Sequence, residues 1–112
     1  MEPFYKILSQ EQIDGKTVVR VAIDGNHVIY EAHFPGNPIT PGAILIDLAA
    51  QVVAADLHID TDIKEAKNVK FLIPHHPQEH EQLTLSFATG QNPVEVTITD
   101  GDDTFARMNL QF

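Results

Sequence analysis

A histidine, His33, begins a short and stiff segment, residues 33–42, and an aspartate, Asp47, lies about one helical turn into the apolar stretch that follows. Histidine takes up or releases a proton near neutral pH, and apolar surroundings favour the protonated form of a carboxyl group. The pair therefore predicts general acid–base chemistry, with His33 as the base and Asp47 as the acid. The segment is stiff because proline restricts the backbone, and three prolines and two glycines lie within it: Pro35, Pro38, Pro41, Gly36 and Gly42.

Asp47 lies in an apolar stretch, residues 43–55, in which Gln51 is the other polar side chain. A carboxylate is costly to bury there, and an apolar residue would often be as stable in its place. The structural alternative is that Asp47 accepts a hydrogen bond from Gln51, one helical turn later. For His33 the alternative is an exposed loop histidine. Both alternatives stay open at this point.

The start of the apolar stretch offers hydrogen-bond donors. Thr40 suits the N-cap and Pro41 the first helical position, so a helix is predicted from there to about Leu57 or His58. The first N–H groups of a helix have no partner inside it, and they can stabilise negative charge on a carbonyl oxygen. Gly42 at that terminus lets a ligand approach closely. The helix is apolar on nearly every side, which predicts a buried central helix.

Strand patterns lie on both sides of this helix. Residues 4–13 are weakly patterned and form either an edge strand or a lead-in, whereas residues 16–23 alternate as a strand does. Residues 27–32 are predicted as a short strand that leads to His33. Residues 66–73 are predicted as the strand after the helix. An antiparallel meander with one apolar face follows, at residues 83–88, 94–99 and 105–112.

This order of elements predicts an α+β fold and a single domain over residues 1–112. A curved antiparallel sheet of about five to six strands would wrap one long central helix. A helix that is apolar on every side needs cover on every side, and one sheet leaves part of it open. We expect a second subunit to supply the rest, in a homodimer or a higher homo-oligomer.

Composition excludes several classes of function. The 112 residues carry 16 acidic and 7 basic side chains, a formal charge of −9. This argues against nucleic acid as a partner, because there is no basic surface to neutralise phosphates. Cysteine is absent, which excludes disulfides and thiolate metal sites. The longest apolar run is too short to cross a bilayer, and no signal peptide is visible. We expect a cytoplasmic protein with no membrane partner.

Three histidines close together raise the question of a metal site. His75, His76 and His80 occur in a loop that contains Pro77. They lack the spacing that places two histidines on one face of a helix. We therefore predict a solvated loop and no metal.

The segment from His33 to Gln51 resembles the signature of the hotdog-fold β-hydroxyacyl-ACP dehydratases of fatty acid synthesis. It begins His-Phe-Pro-Gly-Asn-Pro-Ile-Thr-Pro-Gly and continues through apolar residues to Asp47 and Gln51. Residues 68–74, Asn-Val-Lys-Phe-Leu-Ile-Pro, resemble the next strand of that family. The resemblance implies a hotdog fold. It also implies a lyase that removes water from a (3R)-hydroxyacyl thioester to give a 2-enoyl thioester, without a cofactor or metal.

The resemblance also implies roles for single residues. His33 matches the base that takes the proton from C2 of the acyl chain, and Asp47 matches the acid that serves the departing C3 hydroxyl. The two would come from different subunits of a homodimer. Gly42 matches the glycine whose N–H binds the thioester oxygen. We expect three more residues to line the substrate site: Phe34, Ala43 and Gln51.

Acyl carrier protein or coenzyme A would carry the substrate. Lys64, Lys67 and Lys70 recur every three residues, and ordinary surface charge is the simpler interpretation. The functional interpretation is a positive patch that docks an acidic carrier protein, which has to be local because the chain as a whole is acidic.

The chain departs from the family pattern in three places. Ala32 replaces the glycine before the histidine, residues 77–79 read Pro-Gln-Glu in place of Pro-Gly-Asp, and the family's N-terminal His-Arg element is not seen. Two alternatives therefore stay open. One is a thioesterase on the same fold, in which the helical acid activates water. The other is a non-catalytic hotdog subunit that binds acyl chains or pairs with an active partner.

Overall fold

The sheet and the helix lie side by side in this computed structural model, which describes residues 3–31, 36–59 and 62–112. Within those ranges, six strands form one antiparallel sheet with the order β1-β2-β4-β5-β6-β3, beside one α-helix. β1 and β3 are therefore the edge strands. In chain order the elements are β1 (Tyr5–Ile13), β2 (Lys16–Ile23), α1 (Gly42–Leu57), β3 (Glu65–Phe71), β4 (Gln82–Phe87), β5 (Val94–Asp100) and β6 (Asp103–Gln111).

One face of the sheet is apolar and shares a core with α1. Alternate side chains of a strand lie on the same face, and those of the β4–β6 meander are buried: Leu83, Leu85, Phe87, Val94, Val96, Ile98, Ala106, Met108 and Leu110. The helix contributes five buried side chains: Leu45, Leu48, Ala49, Val52 and Val53. The predicted meander is confirmed, and of the two alternatives for residues 4–13 the structure has the edge strand.

The other face of α1 is exposed. Ala43, Asp47, Gln51 and Ala55, spaced four residues apart, form an exposed stripe along the helix, the α1 stripe. The sheet of one chain therefore leaves part of α1 open, as expected from the sequence, and cover by a second subunit stays a prediction. Asp47 is therefore exposed in the single chain.

α1 begins one residue later than predicted and ends as predicted. Its N-cap is Pro41, and no side chain caps it. Thr40 does not serve as the cap because its hydroxyl is held by Tyr30 and His75. His58 closes the helix in the left-handed conformation, with φ of 55°. Among the described residues, no helix is long and apolar enough to cross a membrane.

The predicted strand at residues 27–32 is wrong. A 3-10 helix spans Val28–Tyr30, and the backbone N–H of Ile29 donates to Nδ1 of His27. A side chain that satisfies this N–H competes with strand pairing. The last residue of the predicted strand, Ala32, lies outside the described residues.

The prediction of a solvated loop around the histidines is wrong at His75. This residue is only 1% exposed, and its ring stacks edge-on against Phe105 with 5.2 Å between the centroids. Burial lowers the pKa of His75 and outweighs the raising effect of its hydrogen bond to the His80 carbonyl. The imidazole is therefore neutral in the folded chain at neutral pH. His80 is half-buried and pairs with Asp100 at 2.8 Å.

We predict that stability decreases as the pH falls below about 6.5, the pKa of an unperturbed histidine. Below that pH the unfolded chain binds a proton at His75, and the folded chain binds it only at a lower pH. The free energy of unfolding then falls by at most about 1.4 kcal/mol per pH unit for this group. Asp100 acts in a separate window, because His80 lowers its pKa from 3.8 and the associated stability is lost only at more acidic pH.

Urea unfolding across the pH range just below 6.5, a value typical of histidine, checks this prediction. The unsubstituted chain should lose stability more steeply than His75→Gln, which has no titrating group at this position. The same pH slope for both proteins would contradict a neutral buried His75.

Candidate active site

Asp47 lies in the middle of the α1 stripe and borders a cavity of about 720 Å³. The walls are mostly small and branched apolar side chains of α1, and Tyr5, Gln51 and Asp62 contribute further polar groups. This volume falls within the range of cavities that bind small molecules. The carboxylate predicted as the acid is therefore at a place that a substrate can reach.

A chain of hydrogen bonds fixes the Asp47 carboxylate. The Tyr5 hydroxyl donates to Oε1 of Gln51 over 3.0 Å, and Nε2 of Gln51 donates to Oδ2 of Asp47 over 2.9 Å. Because the tyrosine occupies the carbonyl end of the amide, the amide presents its N–H groups to the carboxylate. The contact expected under the structural alternative for Asp47 is thus present, at the edge of the cavity.

The Tyr5 hydroxyl remains the donor in this chain of hydrogen bonds. Burial raises the pKa of the Tyr5 hydroxyl, and the negative charge of Asp47 raises it further. The phenol therefore keeps its proton at neutral pH. The orientation of Gln51 follows from that proton.

The start of α1 presents backbone donors that have no acceptor among the described residues. The N–H groups of Ile44 and Leu45 both bond to the Pro41 carbonyl. Within the described part of the chain, no acceptor is found for the N–H of Gly42 or Ala43. These are the groups predicted to stabilise an anionic carbonyl oxygen.

Gly42 is packed closely by an aromatic ring and borders a second cavity, of about 320 Å³. A Cβ at this position would lie 2.6 Å from Cζ of Phe71, well inside the separation of non-bonded carbon atoms. The ring in this position therefore requires glycine. The other walls of the cavity include the segment after β3 and the buried His75.

The acid and the Gly42 donor face different cavities. Asp47 borders the larger cavity and Gly42 the smaller one. One copy of the chain therefore presents Asp47 and Gly42 to different cavities, whereas Ala43 borders the larger cavity with Asp47.

Two of the predicted site residues, His33 and Phe34, lie outside the described residues. The assignment of His33 as the base and of Phe34 to the substrate site stays a prediction. Ala43 and Gln51, also predicted to line the substrate site, both border the larger cavity with Asp47. No group of metal-binding side chains occurs in residues 3–31, 36–59 and 62–112.

The lysines predicted to dock a carrier protein are exposed. Lys64 precedes β3, and Lys67 and Lys70 lie within it. The Lys67 ammonium is 3.6 Å from the Glu65 carboxylate. Lys70 pairs in register with Arg107 of β6, so two cations are neighbours at this sheet edge.

The sequence does not identify Tyr5 as part of the site. Tyr5 and Gln51 are 46 residues apart in the chain. β1 is mostly polar, so its pattern does not indicate which side chains point toward α1. Only the pairing of Tyr5 with Ile23 on the neighbouring strand brings the hydroxyl to the helix.

Comparison with known proteins assigns the chain to a family. The family model named ApeI-like, described as ApeI dehydratase, matches residues 9–109. The chain belongs to the ApeI-like dehydratase family. Removal of water is the reaction class of this family, and the predicted membership of the hotdog dehydratases is confirmed.

Several relatives are named as dehydratases. The 3-hydroxyacyl-[acyl-carrier-protein] dehydratase FabZ of Acetivibrio thermocellus is 27% identical, over 96% of this chain and 80% of that protein. FabZ of Geobacter metallireducens is 29% identical, over 71% of this chain and 59% of its own length. FabZ of Enterococcus faecalis is 39% identical, over 49% of this chain and 40% of its own length.

Solved structures share the fold. A chain of the dehydratase heterocomplex ApeI:P from Xenorhabdus doucetiae matches with a TM-score of 0.78 at 21% identity, over 99% of this chain and 97% of that chain. An uncharacterized protein from Erwinia carotovora subsp. atroseptica matches with a TM-score of 0.65 at 21% identity, over 99% and 95%. The predicted α+β hotdog fold is thereby confirmed.

We predict that Tyr5→Phe lowers kcat for dehydration by about fivefold, the effect of one hydrogen bond worth about 1 kcal/mol. Without the Tyr5 hydroxyl, the Gln51 amide can turn and no longer holds Oδ2 of Asp47. Steady-state kinetics together with urea unfolding check this, because the stability should change little. An unchanged kcat would show that Tyr5 does not orient the site.

Proposed function

We propose that this ApeI-like dehydratase removes water from a (3R)-hydroxyacyl thioester and releases a 2-enoyl thioester. The observation that carries the proposal is the Asp47 carboxylate, held by Gln51 at the edge of a substrate-sized cavity. The reaction breaks the C2–H and C3–O bonds, forms the C2=C3 double bond and transfers both protons through side chains. It needs a base, an acid and a donor to the thioester oxygen.

Asp47 is the acid in this proposal. Gln51 engages Oδ2, so Oδ1 is available to the substrate, and a proton carried there passes to the C3 hydroxyl as the C–O bond breaks. General acid catalysis of this kind contributes about 10²- to 10⁴-fold. The fixed amide keeps the carboxyl group in one orientation.

His33 is the base, and the start of α1 holds the thioester oxygen. The imidazole takes the C2 proton. As this proton leaves C2, negative charge develops on the carbonyl oxygen of the thioester. The free N–H groups of Gly42 and Ala43 are pre-set donors for that charge. No cofactor or metal has a part in these steps.

Two copies of the chain form each site. In one copy Asp47 and Gly42 border different cavities, so a substrate that contacts both of these residues would lie between two copies. The exposed α1 stripe, with an alanine at each end, supports the same arrangement because a second copy would cover it. We propose a homodimer in which His33 and Gly42 of one subunit face Asp47 of the other.

The acyl group is carried by acyl carrier protein in our proposal, as the names of the FabZ relatives suggest. Such a carrier is acidic, and the exposed cations at the β3 edge are complementary to it: Lys64, Lys67, Lys70 and Arg107. Lys70→Glu should raise KM for the carrier-bound substrate at low salt and leave KM for a short thioester unchanged. Equal changes in both KM values would argue against docking at this edge.

A second candidate function is that of a subunit paired with an unlike dehydratase chain. The structural match to a chain of a dehydratase heterocomplex favours it over the thioesterase alternative. In that case the purified chain would be inactive alone and would gain activity with its partner.

The experiment is an assay of the purified chain with a 3-hydroxyacyl carrier protein, followed by mass spectrometry of the carrier. Loss of the mass of one water supports dehydration, and the (3S) substrate serves as the control. A free carrier thiol would instead identify a thioesterase. An unchanged substrate across several acyl lengths would contradict the proposed activity of the chain on its own.

A further inference from the structure

A buried chain of hydrogen bonds joins the two ends of residues 31–39, the His33 segment. The Tyr30 hydroxyl lies 2.7 Å from Oγ1 of Thr40, and Oγ1 lies 2.7 Å from Nδ1 of His75. Tyr30 precedes that segment and Thr40 follows it, so the first contact joins its two ends. The second contact ties both ends to the loop after β3, where the Thr40 N–H also donates to the His75 carbonyl over 2.9 Å.

The direction of every hydrogen bond in this chain follows from its last member. Nε2 of His75 lies 2.9 Å from the carbonyl oxygen of His80, which can only accept, so Nε2 carries the proton. In the neutral ring Nδ1 is then an acceptor, and it takes the Thr40 hydroxyl proton. Oγ1 of Thr40 is left to accept from Tyr30. The order of donation is Tyr30 to Thr40 to His75 to the His80 carbonyl.

This chain of hydrogen bonds is buried, and its polar groups are all paired. Tyr30 is 4% exposed, Thr40 5% and His75 1%, and no buried polar side-chain atom of the described residues lacks a partner. A broken link would leave a buried donor or acceptor unpaired, which is unfavourable. One arrangement of these groups is therefore strongly favoured.

The same chain of hydrogen bonds also reaches the proposed site. Thr40 and His75 border the smaller cavity beside Gly42, and Thr40 is separated from Gly42 only by Pro41, the N-cap of α1. Displacement of the Thr40 backbone would therefore displace the free N–H groups at the start of the helix. Errors of about 1 Å in the position of catalytic groups can reduce rates a hundredfold.

We propose that His75 is a positioning residue for dehydration: through Thr40 it fixes the start of α1 and the separation of the two ends of the His33 segment. This inference rests on the proposed function for its effect on catalysis, and on the described contacts for its effect on structure. His75 touches no substrate in it. The groups that surround its imidazole electrostatically are His76 and His80 of the same loop and Asp100 of β5.

Two substitutions separate the two links of His75. Asparagine places a carbonyl oxygen near the position of Nδ1 and can still accept from Thr40, whereas glutamine places an N–H near Nε2 and can still donate to His80. Both variants lose one buried hydrogen bond, so a merely structural role predicts similar losses of stability and similar kinetics. His76→Gln, the same change one residue later, is the matched control outside the chain of hydrogen bonds.

The positioning role predicts different kinetics for these variants. His75→Gln should lose about tenfold or more in kcat with little change in KM, and His75→Asn should stay within about threefold of the unsubstituted enzyme. Thr40→Val should reproduce the loss and Thr40→Ser should restore activity. Equal kcat values for His75→Gln and His75→Asn at matched stability would overturn the proposal.

A readout that needs no turnover separates this inference from the proposed function. In ¹H–¹⁵N spectra of the full chain, the Gly42 and Ala43 amide signals should move in His75→Gln and keep their positions in His75→Asn and His76→Gln. If the amides respond in this way but the unsubstituted chain dehydrates nothing, the proposed function fails and the structural role of His75 stands. Unmoved Gly42 and Ala43 amides in His75→Gln would overturn the inference even in an active enzyme.

Discussion

Asp47→Asn is expected to lower kcat for dehydration by about 10²- to 10⁴-fold, the range for loss of a general acid. The amide has nearly the same shape and can still contact Gln51, but it has no proton to transfer to the departing hydroxyl. KM should change much less than kcat, because the acid acts mainly in the transition state. Rates of 2-enoyl formation from a 3-hydroxyacyl carrier protein measure this effect.

The matched control is Asp56→Asn on the same helix. Asp56 contacts Gln10 of β1 and does not border the larger cavity. The same chemical change there should leave kcat unchanged. If Asp47→Asn retains full activity, or if both variants lose activity equally, Asp47 is not the acid.

His33→Ala is expected to lower kcat by a comparable factor, about 10²- to 10⁴-fold, since C2 then has no base. Exchange of the C2 hydrogen of bound substrate with deuterated solvent is a second readout that follows proton abstraction directly. It should stop in His33→Ala. In Asp47→Asn, where the base is intact and only departure of the hydroxyl is blocked, the exchange should persist.

His76→Ala is the control for the base. His76 is a half-buried histidine of the loop after β3, and its loss should affect neither turnover nor exchange. Continued C2 exchange in His33→Ala would contradict the role of His33 and would mean that another group removes the C2 proton.

The elements that carry the site could be predicted because their signals are local. The boundary of α1 at Leu57 follows from helical periodicity, and the β4–β6 meander follows from strict alternation of apolar side chains. The spacing of His33, Gly42 and Asp47 carried the family resemblance. Each of these signals is complete within one continuous stretch of sequence.

The remaining parts depend on contacts between distant segments. Thr40 has the properties of an N-cap, but its hydroxyl bonds to His75, 35 residues later. Pro41 therefore occupies the N-cap position. His75 itself is predicted to be solvated because its neighbours are polar, and it becomes buried because the loop folds against Phe105. Local propensity is overridden by tertiary hydrogen bonds in both cases.

The exposure of Asp47 has a related cause. The helix sequence indicates cover on every side, and the sheet of one chain supplies it on one face. The apolar character of α1 therefore contains information about an assembly as well as about the chain. The proposal of two copies per site takes the exposed α1 stripe as part of its physical basis.

The most direct test of the proposed shared site is the activity of a mixed dimer. His33→Ala and Asp47→Asn subunits with different affinity tags are expressed together, and dimers carrying both tags are isolated by two successive purifications. Each mixed dimer has one site that lost both groups and one that lost neither, so the account predicts about half of the activity of the unsubstituted dimer. If the two groups of a site instead came from one chain, every site would lack one of them. Activity at the low level of the single variants would then contradict the account.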